Sequence, residues 1–165
     1  MTKSARIGLP LIQPGQIDKA VTHNEALAIL DVAVAAAVDG MLANSPPASP
    51  TSGSCYIVGS NPQGEWAGHP LALAGYTDGG WRFVEAADGL SALDKATGEI
   101  VTCRNGSWEA GHVHASKLSV GGNQVVGARQ AAVPDPSGGT IVDAEARGAI
   151  AAILVRLRQH GLIAT

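Results

Sequence analysis

Apolar positions along the chain follow two different spacings, and each spacing predicts a different kind of element. Between residues 23 and 39 apolar side chains recur every three or four positions, which is typical of a helix. Thr22 and Glu25 of "VTHNEAL" have the spacing of a capping box at its start, and Gly40 is placed to end it. One apolar stripe of this helix consists of Leu27, Leu30, Val34, Val38 and Met41. The preceding "IGLPLIQPGQ" is apolar but broken by prolines, which predicts an extended arm lying on a neighbouring molecule.

From residue 55 the apolar positions alternate, which is the period of a strand. Short runs are separated by turn sequences such as "NPQG", "TDGG" and "KATG", a spacing that predicts an antiparallel meander of five or six strands. The runs are "CYIVGS", "LALAGYT", "WRFVEA", "LSALD", "EIVTCRN" and "SWEAG". The proline- and serine-rich "NSPPASPTSGS" before them predicts a linker.

The last part of the chain predicts a hairpin turning at residues 121–123 and a closing helix. Thr140 and Asp143 have capping-box spacing, and two arginines lie in the last turn, where the helix dipole favours positive charge. Gly161 fits the left-handed position after the helix, which would let Leu162 fold back on Leu157 as a Schellman motif.

Four apolar residues of this helix fall at 4-3-4 spacing, as in a short coiled-coil seam: Ala146, Ile150, Ile153 and Leu157. The helix either packs on its own domain or joins copies of the chain, and we expect the seam to form an oligomer interface. The fold class predicted is α+β, a small antiparallel β meander flanked by an N-terminal helix and a C-terminal helix. The predicted segments are an arm and helix (1–44), a linker (45–54), the meander (55–111), and the hairpin with the last helix (112–165).

Composition limits the function. A chain of 165 residues can bury one core of ordinary size, and its net charge of −3 offers no basic stripe for nucleic acid. No apolar run reaches membrane-spanning length and the start lacks a signal-peptide core, so we expect a soluble protein made in the cytoplasm. Cys55 and Cys103 lie in apolar, strand-like stretches without CxxC spacing, which favours two buried free thiols over a disulfide.

The tryptophans have two interpretations. Glycines before each indole favour the start of a strand, and a domain with one Phe and two Tyr has little else to fill its core. We therefore favour the three indoles as core residues, with Trp81 buried and Trp66 the most exposed of them. The alternative is an exposed sugar platform, for which Trp66 is the best candidate, with Glu65 and His69 as polar neighbours in "PQGEWAGHP".

The sequence matches none of the catalytic motifs with which we compared it. "GSNPQGEW" has Glu65 and Trp66 where a phosphate loop needs lysine and a hydroxyl, and no nucleophile elbow or paired carboxylates stand out. His112 and His114 of "HVH" would point to one side of a strand and could meet a transition metal on a trimer axis. Two exposed histidines at the end of the meander remain the simpler interpretation. We expect no enzyme activity, no cofactor and no bound metal.

Three long stretches resemble, in order, the three blocks of an uncharacterised alphaproteobacterial family, domain of unknown function 2793, found in prophages and gene transfer agent clusters. They are "ARIGLPLIQPGQIDKAVTHNEAL", "YIVGSNPQGEWAGHPLALAGYTDGGWRF" and "VVGARQAAVPDPSGGTIVDAEARGAIAAILVRLRQHGLI". Related proteins are encoded among tail, fibre and head-spike genes. "VEAADGLSALDKATGEI" is poor in aromatic residues where many members have longer aromatic-rich strands.

The resemblance implies a structural component of a phage-like particle, a fibre or spike protein or the base attaching it to head or tail, serving assembly and host attachment. The alternative is a carbohydrate-binding module for host capsular polysaccharide. The expected partners are further copies in a homotrimer, other particle proteins and host polysaccharide, with no nucleic acid or membrane. The expected final location is an extracellular particle.

Overall fold

The computed structural model describes residues 2–138 and 143–164. The chain divides into two compact units, Met1–His112 and Val113–Thr165. The predicted α+β class is confirmed. The helices are α1 (Lys19–Val34) and α2 (Ala144–Gln159), with a short 3₁₀ helix at Gly64–Trp66. The strands are β1 (Ala37–Val38), β2 (Gly40–Ala43), β3 (Cys55–Val58), β4 (Leu73–Thr77), β5 (Gly80–Val84), β6 (Ser91–Asp94), β7 (Ile100–Arg104), β8 (Ser107–Ala110), β9 (Leu118–Val120) and β10 (Asn123–Val126).

The first unit contains two four-stranded sheets, in the orders β2-β3-β4-β5 and β1-β6-β7-β8. All six strands predicted between residues 55 and 111 are present as β3 to β8, and each sheet holds three of them as a consecutive antiparallel meander. The fourth strand of each sheet is parallel to its neighbour: β2 pairs with β3 and β1 with β6. The six strands predicted as one meander are therefore divided between two sheets.

Residues 37–39, predicted as the last residues of the first helix, instead form β1 and the bend that leads into β2, so the predicted helix boundaries were wrong. Val38 is fully buried in the core. The backbone N–H of Asp39 donates to the Cys55 carbonyl at 2.7 Å, and the Asp39 carboxylate accepts from the Cys55 N–H at 3.1 Å. Since these backbone groups find partners in the sheets, the segment gains more from pairing than from continuing the helix.

The predicted capping box at Thr22 and Glu25 was also wrong. Helix α1 begins before it, with Asp18 as an N-cap that makes no side-chain cap bond. Thr22 lies buried inside the helix, where its hydroxyl accepts from the Gln16 side chain. Glu25 reaches out of the helix to Arg82. Both side chains have tertiary partners, which outweighs their local capping tendency.

The N-terminal segment folds back on itself and is not the extended arm that the prolines predicted. The Ser4 N–H donates to the Leu9 carbonyl at 2.8 Å, and Lys3 and Pro10 form an antiparallel bridge. Ile7 at the turn packs against the main core. This segment therefore contributes to the first unit's own packing.

Both sheets of the first unit share one apolar core. Its buried members come from strands of both sheets: Val38, Cys55, Ile57, Leu73, Val84, Ala92 and Val101. Helix α1 adds Ile29, Val32 and Ala33. Alternate residues of β3, β4 and β5 point to the other face, where Trp66 and Trp81 pack with tyrosines and a phenylalanine in a second cluster.

One glycine allows α1 to lie close to the sheet. A Cβ on Gly75 of β4 would come within 2.2 Å of Val32 Cγ2. Real atoms do not approach so closely, so a side chain at this position would push the helix away. The absence of a side chain at Gly75 sets the helix–sheet spacing.

The second unit holds the predicted hairpin and last helix. Strands β9 and β10 are antiparallel and turn at Gly121 and Gly122, both with positive φ. Asp143 is the N-cap of α2 and accepts from the Ala146 N–H at 2.8 Å. The predicted capping box had placed Asp143 three residues inside the helix; its other member, Thr140, lies outside the described residues.

The predicted Schellman ending of α2 is confirmed. Gly161 has φ of +69°, its N–H donates to the Arg158 carbonyl at 2.9 Å, and the Leu162 N–H donates to the Leu157 carbonyl at 3.0 Å. Within the described residues, neither helix combines the length and apolar character needed to cross a membrane.

Candidate interaction surfaces

Helix α1 has two apolar faces, and only one is covered by the sheets. Ile29 and Val32 face the core. On the other side Val21 is 62% exposed, Leu27 49% and Val34 80%. The stripe of Leu27, Leu30 and Val34 predicted from the sequence is therefore the outer face of the helix. A helix with apolar residues on two opposite faces is typical of one that is covered on both sides.

Two charges within the end turns of α1 oppose its dipole, whereas the negative charge of its N-cap, Asp18, agrees with it. Its first turn has no acidic residue and its last turn no basic residue. Instead Lys19 lies at the positive N-terminal end and Asp31 in the negative last turn. Asn24 and Asp31 lie along one flank of α1, where they also line a cavity of about 820 Å³ between the helix, residues 52–55 and β4. Their side chains make no hydrogen bond or ion pair with the described part of the chain.

On α2, the seam predicted as an oligomer interface lies beside the helix's buried face and is largely exposed. Leu154 is the buried residue of this helix. Ala146 is exposed, Ile150 is 46% exposed, Ile153 is 58% exposed, and Leu157 is half-buried. The helix packs through one face and leaves most of the seam uncovered.

The favoured interpretation of the indoles as core residues is confirmed for Trp66 and Trp81, whereas the expectation that Trp66 is the most exposed of the three, and its use as a platform, was wrong. Trp66 is 0% exposed and Trp81 is 9% exposed, and their rings meet edge to face at 5.2 Å between centroids. The 3₁₀ helix at Gly64–Trp66 turns the indole inward over the outer face of the sheet. Glu65 beside it remains exposed, so no sugar-binding group of Trp66 and Glu65 exists.

His69, the third residue of that predicted platform, has other partners. Its ring stacks on Phe83 at 3.8 Å between centroids with an interplanar angle of 3°. Its Nδ1 lies 2.8 Å from the Glu85 carboxylate. These contacts attach the loop carrying His69 to β5.

His112 and His114 do not lie on a strand as the metal-binding hypothesis required. Strand β8 ends at Ala110 and β9 begins at Leu118. Both histidines are exposed. The alternation that would point both rings to one side of a strand is therefore absent at this position.

The two cysteines are buried free thiols, as predicted. Burial raises the pKa of Cys55 to about 11 and also raises the pKa of Cys103. Beside Cys55, burial opposes ionisation of Asp39, but hydrogen bonds from Lys95 and the Cys55 N–H outweigh it and lower the Asp39 pKa. Neither thiol is poised as a nucleophile, because the reactive form is the thiolate.

Trp108, the most exposed of the three indoles, lines a cavity of about 270 Å³. Its Nε1–H donates to the Leu71 carbonyl at 2.7 Å, which fixes the ring. Three uncharged polar side chains and two leucines complete the lining: Asn44, Ser60, Ser107, Leu42 and Leu71. Sequence reasoning missed this site because its walls come from four separate segments; "NGSW" was its only local signal.

The chain belongs to the family described as "Protein of unknown function (DUF2793)", whose profile matches residues 23–109, more than half of its length. The match covers α1 from His23 onward and nearly all of both sheets. A comparison with curated proteins finds no significant match.

Proposed function

We propose that this chain is a non-catalytic structural component of a phage-like particle, a fibre, spike or base protein, which assembles with copies of itself and with neighbouring particle proteins. The observation that supports it best is the uncovered apolar face of α1. The sheets of the first unit cover one side of α1, and on its other side Leu27 and Val34 are exposed to solvent. Particle proteins are built from such surfaces, which are covered in the assembly.

A second copy of α1, running antiparallel, is the occupant that fits this face. Helical geometry places Ala20, Leu27 and Val34 along the middle of the outer side, with Asn24 and Asp31 along one flank. A two-fold axis through Leu27 would place the bulky Val34 of one copy against the small Ala20 of the other. It would also bring the Asp31 carboxylate to the Asn24 amide of the second copy, which can donate a hydrogen bond.

Charge favours the same arrangement. In one helix alone, Lys19 and Asp31 each lie at the unfavourable end of the dipole. Antiparallel pairing places each of them beside the opposite end of a second helix, which offsets the unfavourable interaction with its own helix end. If the two copies of α1 ran parallel, Asp31 of one copy would instead face apolar residues of the other. Val34 of one copy would then lie against the equally bulky Val34 of the other.

The seam on α2 supplies a second surface for self-association. Ile150 and Ile153 are exposed there, and a charge at either would enter an interface and not the β core. We assign the homotrimer to this seam, with α1 joining trimers in pairs. The two contacts lie in different units of the chain, so each can be tested separately.

Mass measurement of the full-length chain by light scattering tests both contacts. We expect about six chains in the wild type, about three in Leu27→Asp, about two in Ile153→Asp and one in the double variant. Ile100→Asp is the matched control, because Ile100 is 57% exposed on β7, outside both surfaces. Circular dichroism should show that each variant remains folded.

An unchanged mass in Leu27→Asp would exclude the α1 pair, and an unchanged mass in Ile153→Asp would exclude the α2 trimer. A wild-type monomer at micromolar concentration would exclude self-association. The particle assignment has its own test: an antibody to the chain should label purified particles from a producing culture under the electron microscope. Unlabelled particles would overturn that assignment while leaving the oligomer in place.

A further inference from the structure

We propose that the cavity beside Trp108 binds one uncharged pyranose unit of a glycan. This inference goes beyond the assembly role, because it concerns a surface of a single first unit that neither α1 nor α2 contributes to. At about 270 Å³ the cavity is large enough for a single sugar ring and too small for a folded partner.

The indole supplies an apolar platform. One side of Trp108 packs against the main core, and the ring also lines the cavity. The Nε1–H bond to Leu71 stops the ring from rotating, so the platform is ready before any ligand arrives. Aromatic faces of this kind stack on the C–H face of a pyranose.

Polar groups around the indole suit hydroxyl ligands. Asn44 Oδ1 accepts from the Asn61 N–H at 3.1 Å, which orients the amide and leaves its NH₂ group as a donor. Ser60 and Ser107 each provide a hydroxyl that can donate and accept. Among the residues that the structure describes, none with a charged side chain lines the cavity, which favours a neutral sugar over a uronic or sialic acid.

The walls of the cavity are held in unusual backbone conformations. Leu42 and Leu71 both have positive φ, 57° and 61°, which is costly for residues other than glycine. Pairing between β2 and β3 is irregular at Leu42, between Met41 and Ala43. Such irregularities are frequent beside binding sites.

Gly59 completes the wall behind Asn44. A Cβ at Gly59 would lie 2.2 Å from Asn44 Oδ1, so only glycine permits this amide position. The strained leucines and the glycine place three donors and one indole around a single space. A core built for stability alone has no need of these conformations.

Titration followed by NMR of the ¹⁵N-labelled full-length chain tests the proposal. The probes are methyl glucoside, methyl galactoside and N-acetylglucosamine, with glucuronate and sialic acid as charged comparisons. At least one neutral probe should shift the Trp108 indole signal with a Kd of about 1 mM, the range expected of a single small site. The charged probes should bind at least tenfold more weakly.

Variants locate the binding site. Asn44→Asp keeps the oxygen that accepts from Asn61 but replaces the NH₂ donor with a charge, and should weaken binding at least tenfold. Ser107→Leu should fill the cavity and abolish the shift; Ser107 is exposed, so the fold should tolerate the change. Ser91→Leu, at an exposed position on β6 outside the cavity, is the control and should bind as the wild type does.

Several results would overturn the proposal. One is the absence of any chemical-shift change with every neutral probe at about 50 mM, a concentration well above the expected Kd. The others are tighter binding of the charged probes than of the neutral ones, and wild-type binding affinity in Ser107→Leu. A response only to a host peptide would assign the cavity to protein recognition instead. Leu27→Asp should bind sugar with unchanged affinity, so failure of the assembly role and failure of this site give different results.

Discussion

Glu25 of α1 and Arg82 of β5, 57 residues apart, form a two-pronged ion pair. Arg82 Nε donates to Glu25 Oε2 and Nη2 donates to Oε1, each at 2.7 Å. Arg82 also donates to the carbonyls of Gly79 and Trp81. The pair attaches the exposed edge of α1 to the sheet, beside the turn between β4 and β5.

Replacing Arg82 with lysine should destabilise the first unit by about 1 kcal/mol. Lysine keeps the charge but cannot make two parallel bonds, and the pair is partly exposed, which limits its contribution. Urea unfolding followed by circular dichroism measures the change. Arg104→Lys is the control, since Arg104 Nε lies 3.7 Å from the Glu109 carboxylate. Equal losses in both variants would show that the geometry of the Glu25 pair contributes nothing.

Gly75→Ala should destabilise the first unit by about 1 to 3 kcal/mol, the usual cost of overpacking a core. The new methyl group would overlap Val32, and α1 would have to shift. Gly40→Ala provides the comparison, because a Cβ there meets Tyr56 at 3.4 Å, an ordinary contact. In the double variant Gly75→Ala with Val32→Ala, part of the stability should return. No recovery would mean that the helix–sheet spacing is set elsewhere.

Stability should fall as the pH rises from 9 to 11. The unfolded Cys55 thiol ionises near pH 9.0, whereas the folded one stays protonated until about 11. Between these values the unfolded state has lost a proton that the folded state keeps, so the loss should reach roughly 2 kcal/mol. The Cys55→Ala variant should show a shallower loss over this range, while Cys103→Ala, which keeps Cys55, should retain most of it. Identical pH profiles for wild type and Cys55→Ala would contradict the raised pKa.

Iodide should quench the fluorescence of Trp108 more than that of Trp66 or Trp81. Trp66 and Trp81 are buried, and Trp108 is partly exposed at its cavity. Quenching should therefore largely disappear in Trp108→Phe. If the quenched fraction remains after that change, one of the other indoles must reach solvent.

Elements set by local sequence were predictable. The six strands between residues 55 and 111 follow from alternation and turn glycines, and the end of α2 follows from the positive φ that Gly161 allows. The predictions that failed concern residues whose partners are distant in the sequence. Residues 37–39 continue a helical pattern locally, but Val38 is buried only because β6 and β3 exist beside it.

The candidate sites show the same limit. The uncovered seam on α2 could be found from spacing within one helix. Burial of Trp66 depends on Tyr56 and Trp81 meeting its ring, which neighbouring residues in the sequence do not indicate. The Trp108 cavity is harder still, because Asn44, Ser60 and Leu71 meet the indole only after both sheets have formed.

Because residues 37–43 give one strand to each sheet, the order of synthesis affects how the first unit folds. Strand β2 finds β3 soon after it leaves the ribosome, but Ala37 and Val38 pair with Leu93 and Asp94, which are made much later. Until then Val38 and the inner face of α1 lack their final cover. Nascent chains that end before β6 should therefore bind chaperones, and those extending beyond β8 should be released.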